Sequence, residues 1–232
     1  MNYRHHFHAG NFADVMKHSL QMGLMAHLKK KESAFCFIDT HAGAGVYDLH
    51  GMQAQKTGEY QQGIDRLDDH RGAPLWVAEY LQGVLACQAA GARSNYPGSP
   101  WLGQRQLREQ DSAIFIDVQH AEVASLRHYF KNDSRVAVHQ RNAYEGLTAL
   151  IPPKEKRGLV LIDPPYELER DSFPQLVKLI AAAHKKWPTG VYGIWFPIKQ
   201  RASIVKFYRE LMNSGINKML SCELLMQPDD NA

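Results

Sequence analysis

The sequence is poor in cysteine and has no long apolar run. Its three cysteines, Cys36, Cys87 and Cys222, are far apart and show no Cys-x-x-Cys spacing. Neither a disulfide framework nor a structural zinc site is therefore expected, and a reducing compartment is indicated. No apolar stretch approaches the roughly 18 residues of a membrane span, and the first residues lack the apolar centre of a signal peptide. These absences predict a cytoplasmic protein with no membrane partner.

An excess of one charge is also missing. The 27 lysine and arginine residues against 24 aspartate and glutamate residues leave a formal net charge of +3, with 12 histidines besides. Such mild basicity permits an anionic partner without demanding one. A chain of 232 residues can bury one good core, most simply as one domain with an insertion. Nothing in the pattern indicates a subunit interface, so a monomer is expected.

The strongest local signal is an apolar strand followed by Asp163-Pro164-Pro165-Tyr166. The four apolar residues 159–162 are typical of a parallel strand that is covered on both faces. Asp163 then lies at the carboxyl end of that strand, where open α/β sheets bind their ligands. The two prolines end the hydrogen-bonded ladder and favour an extended exit.

This segment suits the methylation of an exocyclic amine on a nucleobase. Such an amine is a poor nucleophile because its lone pair is delocalised into the ring. Asp163 and the Pro164 carbonyl can accept the two amine hydrogens and so make the lone pair available, while Tyr166 can stack on an extruded base. Four residues alone are weak evidence, since a strand end followed by a proline turn also occurs for structural reasons.

A second predicted strand, 35–38, runs into a loop of small residues that contains Gly43 and Gly45. Such a loop is typical of the first turn of a dinucleotide-type fold, although the third glycine of that pattern is missing. The next predicted strand, 113–118, comes far later than the roughly 30 residues of a plain βαβ unit allow. Residues 47–96 are therefore predicted to be a helical insertion into a main domain of residues 1–46 and 97–232.

The remaining elements alternate, which predicts an α/β fold with an open, doubly wound sheet. Ser99 as N-cap and Pro100 at the first helical position predict a helix start whose amide groups face the glycine loop. The insertion should contain helices near 58–67 and 74–88, and further strands are expected at 135–139, 191–196 and 217–226. Further helices are expected at 120–130, at 172–186 with Pro174 in its first turn, and at 200–213 with Gly215 as its stop.

An amphipathic helix is predicted after Asn11, with Asp14, Lys17 and His18 on one face near its start. By itself this face favours solvated polar residues. The histidines that precede the helix, His5, His6 and His8, alternate in a metal-competent way, but no carboxylate or cysteine stands at ligand spacing nearby. Packing or contact with RNA is therefore preferred over a metal site.

Several further blocks stand in one consistent order along the chain. They are Tyr3-Arg4-His5, Phe7-His8-Ala9-Gly10-Asn11, Ala13-Asp14-Val15, Lys17-His18, Asp39-Thr40-His41-Ala42-Gly43-Ala44-Gly45, Thr57-Gly58-Glu59-Tyr60, Tyr96-Pro97-Gly98-Ser99-Pro100, Leu107-Arg108-Glu109-Gln110-Asp111 and Leu161-Ile162-Asp163-Pro164-Pro165-Tyr166-Glu167. Together they resemble the bacterial methyltransferases of the J type, which methylate an adenine N6 in 23S ribosomal RNA.

The resemblance implies a class I S-adenosylmethionine-dependent methyltransferase, that is, a Rossmann-like sheet with a small helical insertion. S-adenosyl-L-methionine would be the cofactor, without a metal, and 23S rRNA, naked or in an assembling large subunit, the partner. The catalytic residues would be Asp163, Pro164 and Tyr166, and the RNA contacts Tyr3, Arg4 and Tyr166. The implied donor-binding residues are Lys17, His18, His41, Gly43, Gly45, Ser99, Asp117, Asn142, Ala143 and Asp163.

The sequence departs from the family pattern in three places. Asp117 stands where the family often has Glu, which shortens the reach to the ribose hydroxyls of the donor. Asn142 stands where the family often has Asp, which keeps an acceptor but drops the charge. Family members also continue past the position of Ala232 through another strand, so unpaired backbone is expected beside the fifth strand.

Two other functions remain open at the level of the sequence. A DNA adenine-N6 methyltransferase would share the Asp-Pro-Pro-Tyr segment, but the N-terminal blocks and the lack of an added DNA-reading domain argue against it. A non-catalytic RNA-binding or ribosome-assembly protein would tolerate damage at Asp163 or in the glycine loop, and both are intact. The basic loop at Lys154, Lys156 and Arg157 can contact phosphates, although charged loops are usually only solvated.

Overall fold

The computed structural model describes residues 5–67, 72–166, 169–216 and 218–226. In chain order the elements are α1 (Phe12–Lys29), β1 (Cys36–Asp39), β2 (Val46–Asp48), α2 (Met52–Thr57), α3 (Leu75–Ala89), β3 (Asn95–Pro97), α4 (Ser99–Gln106), β4 (Ser112–Asp117), α5 (His120–Phe130), β5 (Val136–Gln140), α6 (Ala143–Leu150), β6 (Gly158–Ile162), α7 (Glu169–Lys186), β7 (Gly190–Ile194) and α8 (Arg201–Asn213). Short 3-10 segments cover His5–Phe7, Glu59–Gln62 and Ile64–Arg66.

Within the described residues, five parallel strands form the main sheet in the order β5-β4-β1-β6-β7. The chain first builds outward from β1 to β4 and β5, and then crosses to the other side of β1 to add β6 and β7. The predicted α/β fold with a doubly wound sheet is confirmed. The strand order reverses between β1 and β6, and such a reversal opens a crevice at the carboxyl ends of the strands.

The two faces of the sheet are covered by two separate apolar clusters. Phe37 and Phe115 point to one face and join a cluster with α1, α3, α4 and α5. Ile38 and Ile116, one position further along each strand, point to the opposite face and pack with α6, α7 and α8. This alternation is the period of two that strands impose. Every residue of β6 is buried, as the apolar run at 159–162 predicted.

The segment between β2 and β3 is closed at its base by the antiparallel pairing of these two short strands, which sequence analysis missed. Helix α3 agrees with the prediction for 74–88, but the helix predicted at 58–67 is wrong. Gly58 has a φ of +64°, which ends α2 after Thr57, and two 3-10 turns follow. Tyr80 and Leu81 of this segment lie in the same cluster as the strand residues, and the domain boundaries proposed above stay a prediction.

Three other local predictions need correction. Ser99 is the first residue of α4 and Gly98 is its N-cap, because the backbone of Gly98 is extended and its carbonyl accepts from the Leu102 amide at 3.1 Å. Pro174 lies inside α7 and not in its first turn. Gly215, with a φ of +89°, does follow the end of α8 as predicted.

The strand predicted at 217–226 is not formed by the described residues 218–226. A strand needs a neighbour for its backbone groups, and this segment is instead tied to α8. Glu223 accepts from Arg201 at 2.8 Å and from the Tyr208 hydroxyl at 3.2 Å. Leu220 is 98% exposed. Among the described strands, β7 pairs with β6 alone. No helix of the described part is long and apolar enough to cross a bilayer.

Gly63 gives a test of how the N-terminal segment packs on the insertion. A Cβ atom there would lie 2.1 Å from the Gly10 carbonyl oxygen and 2.5 Å from the backbone of Asn11. We predict that Gly63→Ala lowers the free energy of unfolding by about 2 kcal/mol, because backbone must move to accept the methyl group. Urea denaturation measures this. Gly193→Ala is the control, since its Cβ would meet nothing nearer than 3.6 Å; equal losses in both variants would contradict this packing.

Candidate active site

The carboxyl ends of β1, β4 and β6 surround a cleft of about 250 Å³, covered by the start of α1 and by the N-terminal 3-10 segment. Most of the residues assigned above by resemblance line it. They are Lys17, His18, His41, Gly43, Ser99, Asp117, Asn142, Ala143, Asp163 and Pro164. The structure therefore brings residues from distant parts of the chain together at the reversal of strand order.

A buried cluster of charges joins α1 to the end of β6. The Lys17 ammonium donates to Asp163 Oδ2 at 2.5 Å and lies 2.9 Å from Asp14 Oδ1. Asp14 also accepts from the Gly10 amide at 3.0 Å and contacts His5 Nε2 at 2.9 Å. Asp14 is 1% exposed and Lys17 8%, so the expectation of solvated side chains on this face is wrong. The reason is that opposite charges meet there and compensate one another.

Opposite charge also decides the protonation of this cluster. Burial alone would raise the pKa of Asp14, but His5 and Lys17 beside it hold that pKa well below its usual value. Burial alone would lower the pKa of Lys17, but Asp14 and Asp163 raise it well above its usual value. Lys17 therefore remains an ammonium group and fixes the Asp163 carboxylate at the cleft.

Two histidines of the cleft are held neutral. Burial lowers the pKa of His18 to about 3, and burial lowers the pKa of His41 to about 4. His18 Nδ1 lies 3.0 Å from the Tyr96 hydroxyl, and His41 Nδ1 lies 2.9 Å from the Thr40 hydroxyl. At neutral pH both rings can offer one N–H group and one lone pair, but no charge.

The glycine loop after β1 is locked by its neighbours. Gly43 has a φ of +61°, and a Cβ there would lie 2.1 Å from the Tyr47 hydroxyl oxygen, so only glycine fits. Its amide donates to Asp117 Oδ2 at 2.9 Å. Gly45 does not line the cleft; its carbonyl accepts from the Gly98 amide and so ties the loop to Ser99 at the start of α4.

Asp117 and Asn142 are both partly committed to backbone contacts. Asp117 Oδ1 accepts from the Gln119 amide at 2.8 Å, in addition to the Gly43 contact. Asn142 is the N-cap of α6, since its Oδ1 accepts from the Tyr144 amide at 2.9 Å. These bonds fix the orientation of both side chains at the rim of the cleft.

Sequence analysis did not single out Asp39 for the site. It is fully buried at the end of β1, beneath His41 and Ser99, and its Oδ1 accepts from the His41 amide at 3.2 Å. Its Oδ2 has no hydrogen-bond partner in the structure. Burial raises the pKa of Asp39 to about 6, an effect that the Ser99 hydroxyl partly offsets. An unsatisfied buried carboxylate oxygen beside a cleft is the kind of group that a ligand cation satisfies.

The other predicted residues lie elsewhere. Tyr166 is not among the residues that line the cleft: its hydroxyl donates to the Trp195 carbonyl at 2.5 Å and its ring lies 5.9 Å from that of Phe173. Its stacking on a base therefore stays a prediction. Tyr3 and Arg4 lie outside the described residues.

Of the three N-terminal histidines, only His5 lines the cleft. The rings of His5 and His6 each meet the Tyr47 ring edge-on at 5.0 Å, and His6 Nε2 lies 3.4 Å from Glu122. His8 contacts Glu59 at 2.9 Å. Among the described residues, no group of three histidine, cysteine or acidic side chains is placed to hold a metal ion. His5, Tyr47 and Glu122 also line the cleft, which local sequence patterns did not indicate.

A second cleft lies at the opposite ends of the strands, where the chain enters the sheet. This cleft of about 550 Å³ is lined by residues such as Trp101 and Arg135, and Arg135 is paired with Asp133 at 2.6 Å. Arg157 of the basic loop also lies at this end of the strands, where it donates to the Leu28 carbonyl at 2.7 Å and closes the end of α1. Its guanidinium is therefore occupied by the chain itself.

An open parallel sheet with a cleft at the reversal of strand order, a glycine loop and an Asp-Pro-Pro-Tyr segment is the architecture of class I S-adenosylmethionine-dependent methyltransferases. Comparison with known proteins identifies the family within that class. The family model described as "Ribosomal RNA large subunit methyltransferase D, RlmJ" matches residues 32–232, and the chain belongs to this family.

Two curated relatives carry the name Ribosomal RNA large subunit methyltransferase J. The protein from Haemophilus influenzae is 40% identical over 232 residues, which is 100% of this chain and 82% of the relative. The protein from Escherichia coli is 40% identical over 231 residues, with the same coverage of 100% and 82%. A crystal structure of a Legionella pneumophila protein superposes with a TM-score of 0.79 at 33% identity, covering 89% of this chain and 76% of that one.

Asp39 gives a test of the buried charge at the cleft. Its folded-state pKa of about 6 lies above the unfolded value of 3.8, so the folded protein favours the protonated form. The ionised carboxylate therefore destabilises the fold above pH 6, and this effect disappears as the pH falls towards 4. We predict that Asp39→Asn raises the free energy of unfolding relative to the wild type. This gain should be up to about 3 kcal/mol larger at pH 7 than at pH 4.

Urea denaturation at the two pH values measures this difference. Asp48→Asn is the control, because Asp48 is exposed and the hydroxyl of Ser94 beside it lowers its pKa, so no gain is expected. A difference between Asp39→Asn and the wild type that does not change with pH would contradict the buried carboxylate.

Proposed function

We propose that the chain transfers a methyl group from S-adenosyl-L-methionine to the N6 amine of an adenine in 23S ribosomal RNA. The observation that carries the proposal is the Asp163 carboxylate, fixed by Lys17 at 2.5 Å beside Pro164 in a cleft at the switch of strand order. The names of the relatives and the family model support ribosomal RNA as the substrate class.

The cleft has groups that fit the methyl donor. Asp39 does not itself line the cleft, but its unpaired Oδ2, next in sequence to the lining residue Thr40, suits the ammonium group of the donor. Asp117 and Asn142 line the cleft where the ribose and adenine of the donor would lie. The Gly43 loop leaves room for close approach of a ligand to the backbone. Neutral His18 and His41 would donate hydrogen bonds without adding positive charge next to a sulfonium. When bound, the donor supplies an electrophilic methyl group.

The chain's own residues would act mainly by positioning. Asp163 and the Pro164 carbonyl accept the two hydrogens of the adenine amine and aim its lone pair. Lys17, which also pairs with Asp14, holds the Asp163 carboxylate in position. Alignment of two reactants in this way can supply roughly 7–11 kcal/mol of the barrier. The proposal needs no metal, and it places a monomeric enzyme in the cytoplasm with rRNA, naked or in an assembling large subunit, as its partner.

We predict that Asp163→Ala lowers turnover by about 10²–10³-fold or more while donor binding stays within a few-fold. The variant removes the acceptor for the amine. It should lower the free energy of unfolding, because Lys17 loses one of its two carboxylates, but Asp14 still pairs with Lys17 and the protein should stay folded. Transfer of labelled methyl groups measures turnover, and calorimetry with S-adenosylhomocysteine measures binding. Glu210→Ala is the control, because its ion pair with Lys206 lies on α8. Undiminished turnover in Asp163→Ala would refute the catalytic role.

The substrate is tested with unmodified 23S rRNA and adenine-containing DNA in parallel. We expect label in the RNA, recovered as N6-methyladenine. Label in the DNA alone would replace the proposal by a DNA adenine methyltransferase. Donor binding without transfer to naked RNA would direct the same assay to large-subunit particles, and failure there as well would overturn the proposal.

A further inference from the structure

A chain of buried hydroxyl groups runs from the inserted segment to the floor of the cleft. The Tyr80 hydroxyl of α3 lies 3.0 Å from the Tyr96 hydroxyl of β3, which lies 3.0 Å from Nδ1 of His18. Tyr80 and Tyr96 are 0% exposed and His18 is 1% exposed. Only His18 of the three lines the cleft. Any effect of the two tyrosines on the cleft therefore passes through that ring.

The surroundings of His18 decide the direction of these hydrogen bonds. Its Nε2 lies 4.0 Å from Asp14 Oδ1, a carboxylate whose pKa is held well below its usual value. A ring lone pair facing that carboxylate would be repelled, which favours hydrogen on Nε2. The ring is neutral, because burial lowers its pKa to about 3. Nδ1 is then a bare acceptor and takes the hydrogen of Tyr96.

The direction of the hydrogen bond between Tyr80 and Tyr96 follows from that of the first. The Tyr96 oxygen, having donated its hydrogen to His18, can only accept from Tyr80. Burial raises the pKa of Tyr80 and of Tyr96, so both hydroxyls keep their hydrogens. Every member of the chain then has a partner, and the direction of donation runs from the inserted segment to the cleft.

We propose that Tyr80 and Tyr96 are positioning residues for the methyl-donor site, holding His18 in the tautomer that carries hydrogen on Nε2. The inference rests on the proposed donor-binding role of His18. In that tautomer the Nε2 hydrogen of His18 lies on the side of the ring that faces Asp14, and the orientation of the ring that lines the cleft is fixed before the donor binds. Without the Tyr96 hydroxyl, Nδ1 would be a buried acceptor with no donor, and the ring would turn or exchange tautomers.

The test compares Tyr96→Phe and Tyr80→Phe with Tyr60→Phe. Tyr60 belongs to the same segment, but its hydroxyl accepts from Gln55 at 2.7 Å and takes no part in the chain. We expect Tyr96→Phe to weaken the binding of S-adenosylhomocysteine about tenfold, Tyr80→Phe a few-fold, and Tyr60→Phe not at all. The KM for the donor should rise in step, with the KM for RNA unchanged.

Nitrogen-15 spectra of the His18 ring separate positioning from a general loss of structure. The wild type should show hydrogen on Nε2 and a bare Nδ1, and Tyr96→Phe should shift the ring towards a mixture of tautomers while the thermal transition stays cooperative. Hydrogen on Nδ1 in the wild type, or unchanged binding and spectra in Tyr96→Phe, would overturn the proposal. The spectra are independent of methyl transfer, so a wild type that binds the donor but leaves rRNA unmodified would refute the proposed function alone.

Discussion

A lysine enclosed between two carboxylates is the contact on which the arrangement of this protein depends. Lys17 reaches Asp163 at 2.5 Å and Asp14 at 2.9 Å, and so joins residues that are 146 positions apart in the sequence. Loss of one partner from such a cluster leaves a charge in a poorly solvated place, which is strongly unfavourable. The start of α1 is therefore bound to the end of β6, and the N-terminal segment follows it through the contact of His5 with Asp14.

The order of the strands in the sheet positions the other residues of the cleft. Because β1 and β6 are neighbours and the helices that follow them lie on opposite faces, Gly43 and Asp163 meet across one crevice. The segment between β2 and β3 packs on the same side of the sheet. Its Tyr80 is buried with the strand residues and is linked to the cleft through Tyr96 and His18. The cleft is thus built from distant parts of the chain, and the inserted segment supports it from within one of the two apolar clusters.

Sequence reasoning succeeded where the cause is local or periodic. The apolar run before Asp163 and the helix at 120–130 are present in the structure, and so is the doubly wound sheet. It failed where the cause is distant. The burial of Lys17 depends on a partner far along the chain, and residues 218–226 of the expected strand are held instead by the contacts of Glu223 with α8. The residues predicted for the donor site were named because of the family resemblance, whereas Asp39 is apparent only from its unsatisfied oxygen.

The most direct test of the central claim is a double-mutant cycle on the free energy of unfolding with Lys17→Met and Asp163→Asn. The account predicts that Lys17→Met alone costs about 3 kcal/mol, because it leaves two carboxylates without their cation. In the Asp163→Asn background the same change should cost at least about 1 kcal/mol less, since one of those charges is gone. Equal losses in both backgrounds would show that the two side chains do not interact, and would contradict the account.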